Sequence, residues 1–391
     1  MKQTFDFDTI VNRHDSGSYK WDTNPDENTL PMWVADMDFR TAPAIIDALR
    51  RRVEHGVFGY THVGKAYYDA VIRWFDKRHG WRIDPEWFIY TSGVVPAISA
   101  IIKAATEPGD SVITQTPAYN CFFSSIRNNG CRLSANNLLY DHGRYTIDFD
   151  DLELRAADPR ARVLLLCNPH NPSGRVWTRD ELLHVGDICL RNNVLIVSDE
   201  IHCELTYPPY VYTPFGTLGE ELRMNSVSCI SPSKAFNIAG LQIANIITAN
   251  PTLRQRIDRA ININEVCDVN PFGIEATIAA YNLSGAWLDA LIAYLRDNYI
   301  LLRDHLNHTL PRLTIVPLEA TYLAWVDIRP TGLSDQAIAD LLQEDSHLRV
   351  NPGSMYGPGG EGFIRINLAA PRQVIAEAAQ RISATLQSLL S

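Results

Sequence analysis

The residues best suited to chemistry lie in Ser231-Pro232-Ser233-Lys234-Ala235-Phe236-Asn237, a polar turn directly after the apolar run 227–230. A lysine just beyond a buried strand sits where open α/β sheets bind ligands, outside the carboxyl ends of the strands. Two hydroxyls beside one amine can hold an anion next to a nucleophile, although a surface lysine in a Ser/Pro turn reads the same way. Other stretches share this form. The short strand 89–91 runs into Ser92-Gly93-Val94-Val95-Pro96, where the unpaired N–H groups of a starting helix would bind an anion or simply be capped. Tyr119 follows strand 112–115 and could cover a flat ligand or serve as rim. Asn171 stands in the rigid loop Asn168-Pro169-His170-Asn171-Pro172-Ser173-Gly174, which would aim its amide near the sheet edge. Asp199 ends strand 194–198, and a buried acid there needs a cation or N–H donors, unless it caps a helix. In the late run 363–368, Ile364, Ile366 and Leu368 share one face at period two, so Arg365 points to the other. Its fork matches a carboxylate, with an ion pair to Asp36 as the competing reading.

These loops need a frame that brings strand ends together. Strands and helices alternate between residues 90 and 250, which predicts an α/β fold with a largely parallel sheet and right-handed crossovers. The continuous apolar runs 162–167 and 194–198 fit central strands covered on both faces. Helices are expected over 42–52, with Pro43 in the first turn, and over 66–79, with Tyr67, Ala70, Val71, Trp74 and Phe75 on one face. Another is expected over 97–105 with Pro96 at its first position, and another after the capping box Thr178/Glu181. After Leu241 the texture is helical. The amphipathic segment 287–310 leads to a smaller α/β domain with strands 313–316, 322–326 and 363–368 and a helix over 336–342. The glycine-rich loop 351–360 is expected to be mobile. The division expected is an arm at 1–45 belonging to the small domain, a large domain at 46–285 and the small domain at 286–391.

The chain has 391 residues, 46% of them hydrophobic, enough for two domains with a substantial core. Its mean hydropathy of -0.13 and short apolar runs point to a soluble protein with no membrane partner. The start of the chain lacks an apolar signal core, and seven scattered cysteines include no Cys-x-x-Cys pair, which points to buried thiols in the cytoplasm. No spacing suggests a metal site. A net charge of -10 without a basic stripe argues against nucleic acid.

The order of these signals along the chain resembles that of fold-type I pyridoxal-phosphate enzymes, the aminotransferase-like fold, and the likeness covers nearly the whole sequence. It is similar above all to the MalY/PatB-type cystathionine β-lyases, through "LPMWVADMDF", "GVFGYTHVG", "LLLCNPHNPSGRVW", "VSDEIH", "SPSKAFNIAGLQ", "TYLAWVDIRP" and "FIRINLA". The resemblance implies pyridoxal 5'-phosphate as cofactor, with Lys234 as the lysine that holds it covalently and acts as base. It implies Asp199 at the pyridinium nitrogen, Asn171 at the phenolic oxygen, and Tyr119 stacked on the ring and serving catalysis, with His202 also lining the cofactor. Gly93, Val94 and Val95 with Ser231 and Ser233 would take the phosphate. Tyr60 would reach the phosphate from a neighbouring subunit, which implies a homodimer with shared sites. Arg365, with Ala35 and Asp36 nearby, would bind the substrate. Aspartate-aminotransferase-like relatives carry a phosphate arginine eight residues beyond the lysine, where this chain has Gln242. The expected activity is β-elimination from cystathionine or a related S-substituted L-cysteine, giving thiol, pyruvate and ammonia. A pyridoxal-phosphate aminotransferase is the alternative, and a purely binding role a remoter one.

Overall fold

A computed structural model describes residues 5–24, 26–265 and 268–390; Cys267 lies outside them. Its main sheet has seven strands: Phe88–Thr91 (β1), Ser111–Thr116 (β2), Arg132–Asn137 (β3), Ala161–Cys167 (β4), Leu195–Asp199 (β5), Ser226–Ile230 (β6) and Ala244–Ile247 (β7). They lie in the order β1-β7-β6-β5-β4-β2-β3. All pairs are parallel except those of β7, which runs antiparallel to both β1 and β6.

Period-two alternation explains why both faces are apolar. Val163, Leu165 and Cys167 of β4 enter one core, against helix α3 (Val94–Ala105), while Leu164 and Leu166 enter another with Leu182, Val185 and Ile188. Those three belong to helix α4 (Arg179–Arg191), which opens with the expected capping box: the Thr178 hydroxyl accepts from the Glu181 N–H and the Glu181 carboxylate accepts from the Thr178 N–H. The strand β7 is absent from the sequence reading, because its run is short and holds a polar residue at its centre. Asn245 is tolerated there since its side-chain oxygen accepts from the Tyr67 hydroxyl at 3.0 Å. Helix α3 also begins earlier than expected, with Gly93 as N-cap and Pro96 as its third residue.

A second, antiparallel sheet joins Thr314–Ile315 (β8), Leu323–Asp327 (β9), Asn351–Pro352 (β10) and Phe363–Asn367 (β11), in the order β8-β9-β11-β10. Ile364, Ile366 and Leu368 face the core shared with helices Gly285–Thr309 and Arg372–Leu386, which leaves Arg365, opposite Trp325, on the other side. The glycine-rich loop after β10 is packed rather than mobile. A Cβ at Gly353 would lie 2.0 Å from the Gly360 carbonyl oxygen, and the Asp335 carboxylate accepts the N–H groups of Ser354 and Gly362.

The arm does lie on the body. Leu30–Pro31 pairs with Leu348–Arg349, Asn367 donates its N–H to the Met32 carbonyl, and Met32, Met37 and Phe39 are buried. Four charges clasp the arm to itself. Lys20, wholly buried, lies 2.7 Å from Asp38 and 3.7 Å from Asp36, and Arg13 lies 2.7 Å from each of those acids.

A second buried ionic link ties the two sheets. Arg175, just after the Asn-Pro loop, donates to Glu319 at 3.1 Å, to both Glu181 oxygens at 3.0 Å and to the Tyr145 carbonyl. Removing one partner of such a pair strands the other charge out of water. Arg175→Met is therefore expected to destabilise the fold by about 3 kcal/mol, and the added change Glu319→Gln to recover a substantial part of it. Denaturant unfolding of both variants checks this; equal losses in the single and double variants would refute the link.

Candidate active site

Three strand ends converge by register. Cys167 of β4 stands opposite Asp199 of β5, and Asp199 opposite Cys229 of β6. The loops 168–174 and 231–237 therefore leave the sheet beside Asp199. The N-terminus of α3 opens onto the same edge, and together with the arm and β11 these elements enclose a cavity of about 510 Å³.

Of the residues singled out in the sequence, Ala35, Gly93, Val94, Val95, Tyr119, Asn171, Asp199, His202, Ser233, Lys234 and Arg365 all line this cavity. Gln242 lines it too, with a left-handed backbone at φ 50°. Three singled-out residues stand elsewhere. The Ser231 hydroxyl lies behind Ser233, 2.9 Å from its oxygen and 2.6 Å from the Ile243 carbonyl. Asp36 faces Arg13 and Lys20, so the pairing with Arg365 does not form. Tyr60, at 98% exposure, points to solvent from a loop that also exposes Val57 and Phe58.

The amine of Lys234 donates to the Ala35 carbonyl at 2.6 Å, and that oxygen also accepts from the Tyr322 hydroxyl at 2.8 Å. Burial pushes the amine down to about 8, helped by the Arg365 charge and opposed by Asp36 and Asp199. Burial likewise pushes Asp199 up to about 7; neighbouring Glu200 adds to this, and the Ile201 N–H, donating at 3.1 Å, pulls against it. His202 is pushed down to about 3 by burial and by Lys234 and Arg365, so its ring is neutral. Arg365 donates to the Asn171 side-chain oxygen at 3.2 Å and to the Trp33 carbonyl at 2.8 Å.

Several groups here lack partners of their own. The buried Arg365 Nε and His202 Nδ1 have no hydrogen-bond partner, and no side chain caps α3, so the N–H groups of Val94 and Val95 are left for an anion. An amine, an acid, an aromatic ring at Tyr119 and an anion cradle around one cavity fit a flat, anionic, aldehyde-bearing cofactor.

A family model described as aminotransferase class I and II matches residues 29–382. The chain belongs to that family. Within it, the chain is 41% identical over 384 residues to cystathionine beta-lyase PatB of Bacillus subtilis strain 168, covering 97% of this chain and 99% of that one. It is 35% identical over 374 residues to protein MalY of Escherichia coli K12, covering 94% and 95%. The crystal structure of cystalysin from Treponema denticola, which contains pyridoxal 5'-phosphate, superposes with a TM-score of 0.96 at 37% identity, over 99% of this chain and 100% of that one. The fold is thus the fold-type I, aminotransferase-like α/β fold.

Sequence reasoning missed Tyr19, Trp33, Cys121, Met355 and Tyr356, which line the same cavity. Trp33 was visible only as part of an apolar arm, and Tyr19 carried no local signal at all. Asn237 stood in the lysine turn without a role. Its side chain accepts the Met37 N–H and donates to the carbonyls of Met37 and Phe39, tying the arm to that turn.

The raised value of Asp199 fixes a sign. Between its ordinary carboxylate value and about 7 the folded, cofactor-free protein holds a proton that the unfolded chain releases, so stability falls as pH rises through that window. Asp199→Asn in the cofactor-free protein is expected to raise stability at pH 8 by about 2 kcal/mol, with the gain fading towards pH 4. Thermal unfolding across pH checks this, and a gain largest at low pH would contradict it.

Proposed function

We propose that this protein is a pyridoxal-phosphate-dependent carbon–sulfur lyase, acting by β-elimination on cystathionine or a related S-substituted L-cysteine. The observation that carries it is the cavity's charge set. Among the described lining residues only Asp199, Lys234 and Arg365 carry charge, which gives one fork for the α-carboxylate and none for the short side-chain carboxylate of an aspartate- or glutamate-like aminotransferase substrate. The relationship to cystathionine beta-lyase PatB supports the same reading.

In this reading Lys234 carries the cofactor, Asp199 meets its ring nitrogen, Asn171 its phenolic oxygen, and Tyr119 and His202 its ring. The N–H groups of Val94 and Val95 at the Gly93 turn, with the Ser233 hydroxyl, would take its phosphate, and Ser231 would brace Ser233 from behind. When bound, pyridoxal phosphate supplies an electron sink that makes the substrate's Cα–H acidic. Arg365 grips the α-carboxylate and fixes which bond faces Lys234, with Ala35 bordering the amine. A lysine lowered towards neutrality is unprotonated often enough to take the Cα proton at its Nζ. The Cβ–S bond then breaks, sulfur leaves with the electron pair and gains a proton, and water completes the products: thiol, pyruvate and ammonia.

We read the chain as an arm (1–45), a large domain (46–285) and a small domain (286–391), working in the cytoplasm as a homodimer. No helix among the described residues is long and apolar enough to cross a membrane, and the described cysteines are free thiols. The exposed Tyr60 loop supports a second subunit as its cover, with Tyr60 reaching the partner's phosphate.

Incubating the purified protein with L-cystathionine, without any keto acid, should release pyruvate and thiol in equal amounts. Lys234→Ala should lower the rate about 10³-fold or more and abolish the yellow cofactor absorbance. Amino transfer that requires a keto acid, with no pyruvate, would instead make the protein an aminotransferase. Tyr60→Phe should weaken cofactor retention in a dimer seen by sedimentation; a monomer with full cofactor occupancy would refute the shared site.

A further inference from the structure

The cavity changes character away from the lysine. Its three charges come from the strand ends and β11, whereas the arm, the start of helix Asn120–Asn128 and the turn Gly353–Tyr356 contribute Tyr19, Trp33, Cys121, Met355 and Tyr356. The rings of Tyr19 and Trp33 lie 5.3 Å apart, and Tyr19 keeps 69% of its surface exposed, so this wall forms the mouth. At its inner end Arg365 lies 4.9 Å over the Tyr356 ring, and at its outer end Arg349 lies outside the cavity lining. Its guanidinium stacks 3.8 Å over Trp33, and its Nη1 donates to the Thr23 carbonyl at 3.3 Å and the Asn24 side-chain oxygen at 3.0 Å.

We propose that this wall makes the enzyme select S-substituted cysteines whose sulfur carries a neutral alkyl or aryl group, and that Tyr19 is the residue that sets this preference. The proposal rests on the lyase reading above and names its substrate class. A substrate such as cystathionine carries a second ammonium and carboxylate beyond the sulfur. With Arg365 holding the first carboxylate, the second head meets rings, a thioether, a thiol and the neutral amides of Asn120 and Asn351. It either stays in water and gains nothing or loses hydration without a charged partner. An alkyl or aryl group in the same place is removed from water against Tyr19 and Trp33, and an aryl ring gains edge and stacking contacts as well. The step is unchanged: the Cβ–S bond breaks, sulfur takes the electron pair and a proton, and the product is an apolar thiol with pyruvate and ammonia.

The test compares kcat/KM of the holoenzyme for S-benzyl-L-cysteine, S-ethyl-L-cysteine, S-methyl-L-cysteine and L-cystathionine, read as pyruvate. S-benzyl-L-cysteine should exceed L-cystathionine by about tenfold or more, mostly through KM, the range that apolar pockets reach. Tyr19→Ala should shrink the ratio of S-benzyl- to S-methyl-L-cysteine by about three- to tenfold, while Tyr19→Phe preserves it. Equal or greater kcat/KM for L-cystathionine, or a ratio untouched by Tyr19→Ala, would overturn the inference and leave the lyase reading standing. Pyruvate from none of the four would overturn both.

Discussion

The placement of one ammonium group out of water governs much of this structure. Lys234 is half-buried at the cavity floor beside a second cation, Arg365, and a desolvated amine there persists only if fixed acceptors answer it. Its direct acceptor is the carbonyl of Ala35, which belongs to the arm and not to the sheet that carries the lysine. The arm is therefore part of the site. Its hold depends on the Arg13–Lys20–Asp36–Asp38 cluster at one end and on Asn237, three residues beyond the lysine, at the other. The acceptor of the amine thus lies 199 residues from it in sequence, next to Asp36 of that cluster. The same cluster explains why Asp36 is not free for Arg365: both of its neighbouring cations already claim it.

Burial also brings two opposing groups to similar strengths. Asp199 rises to about 7 while Lys234 falls to about 8, so neither keeps the charge it would have in water at its usual margin. A cationic ring nitrogen placed at Asp199 would restore that acid's ionised form by supplying the charge partner that the sheet withholds. Glu200, one residue on, is handled differently. It is also raised to about 7, yet the Phe215 N–H and the hydroxyls of Ser198 and Tyr212 surround it, which makes it a structural acid. Adjacent carboxyls have different tasks because one faces the cavity and the other faces the packed interior.

Much of this was legible along the chain. Parallel strands buried on both faces read as unbroken apolar runs, so β4, β5 and β6 and the polar turns at their ends stood out, and with them Asn171, Asp199 and Lys234. Alternation placed Arg365 on the side away from Ile364 and Ile366. What escaped shares a single cause: its meaning lies in contacts distant in sequence. Asn245 hides a strand until Tyr67 is seen to donate to its side-chain oxygen. Gly353 and Gly360 look like freedom in sequence, yet here two backbones approach so closely that no Cβ fits between them. Tyr19 is one aromatic among many in an irregular arm, and only the fold carries it to the cavity mouth.

The division between what is fixed and what can vary follows from these supports. A fold of this kind does not choose between elimination and amino transfer, since both begin with a pinned carboxylate and a proton taken from Cα. Arg365, Lys234 and Asp199 stand on strands and strand ends held by ladder hydrogen bonds and three apolar cores, so their geometry resists change. The group beyond Cβ meets side chains from an arm and a loop instead, where one substitution alters shape without disturbing the sheet. Tyr19 can change because its ring is largely in solvent. Trp33 cannot change as freely, because its ring stacks with Arg349 and its indole N–H donates to the Lys20 carbonyl. Selectivity between leaving groups is therefore expected to reside at the exposed end of this wall, and the capacity to break the Cα–H bond at its buried floor.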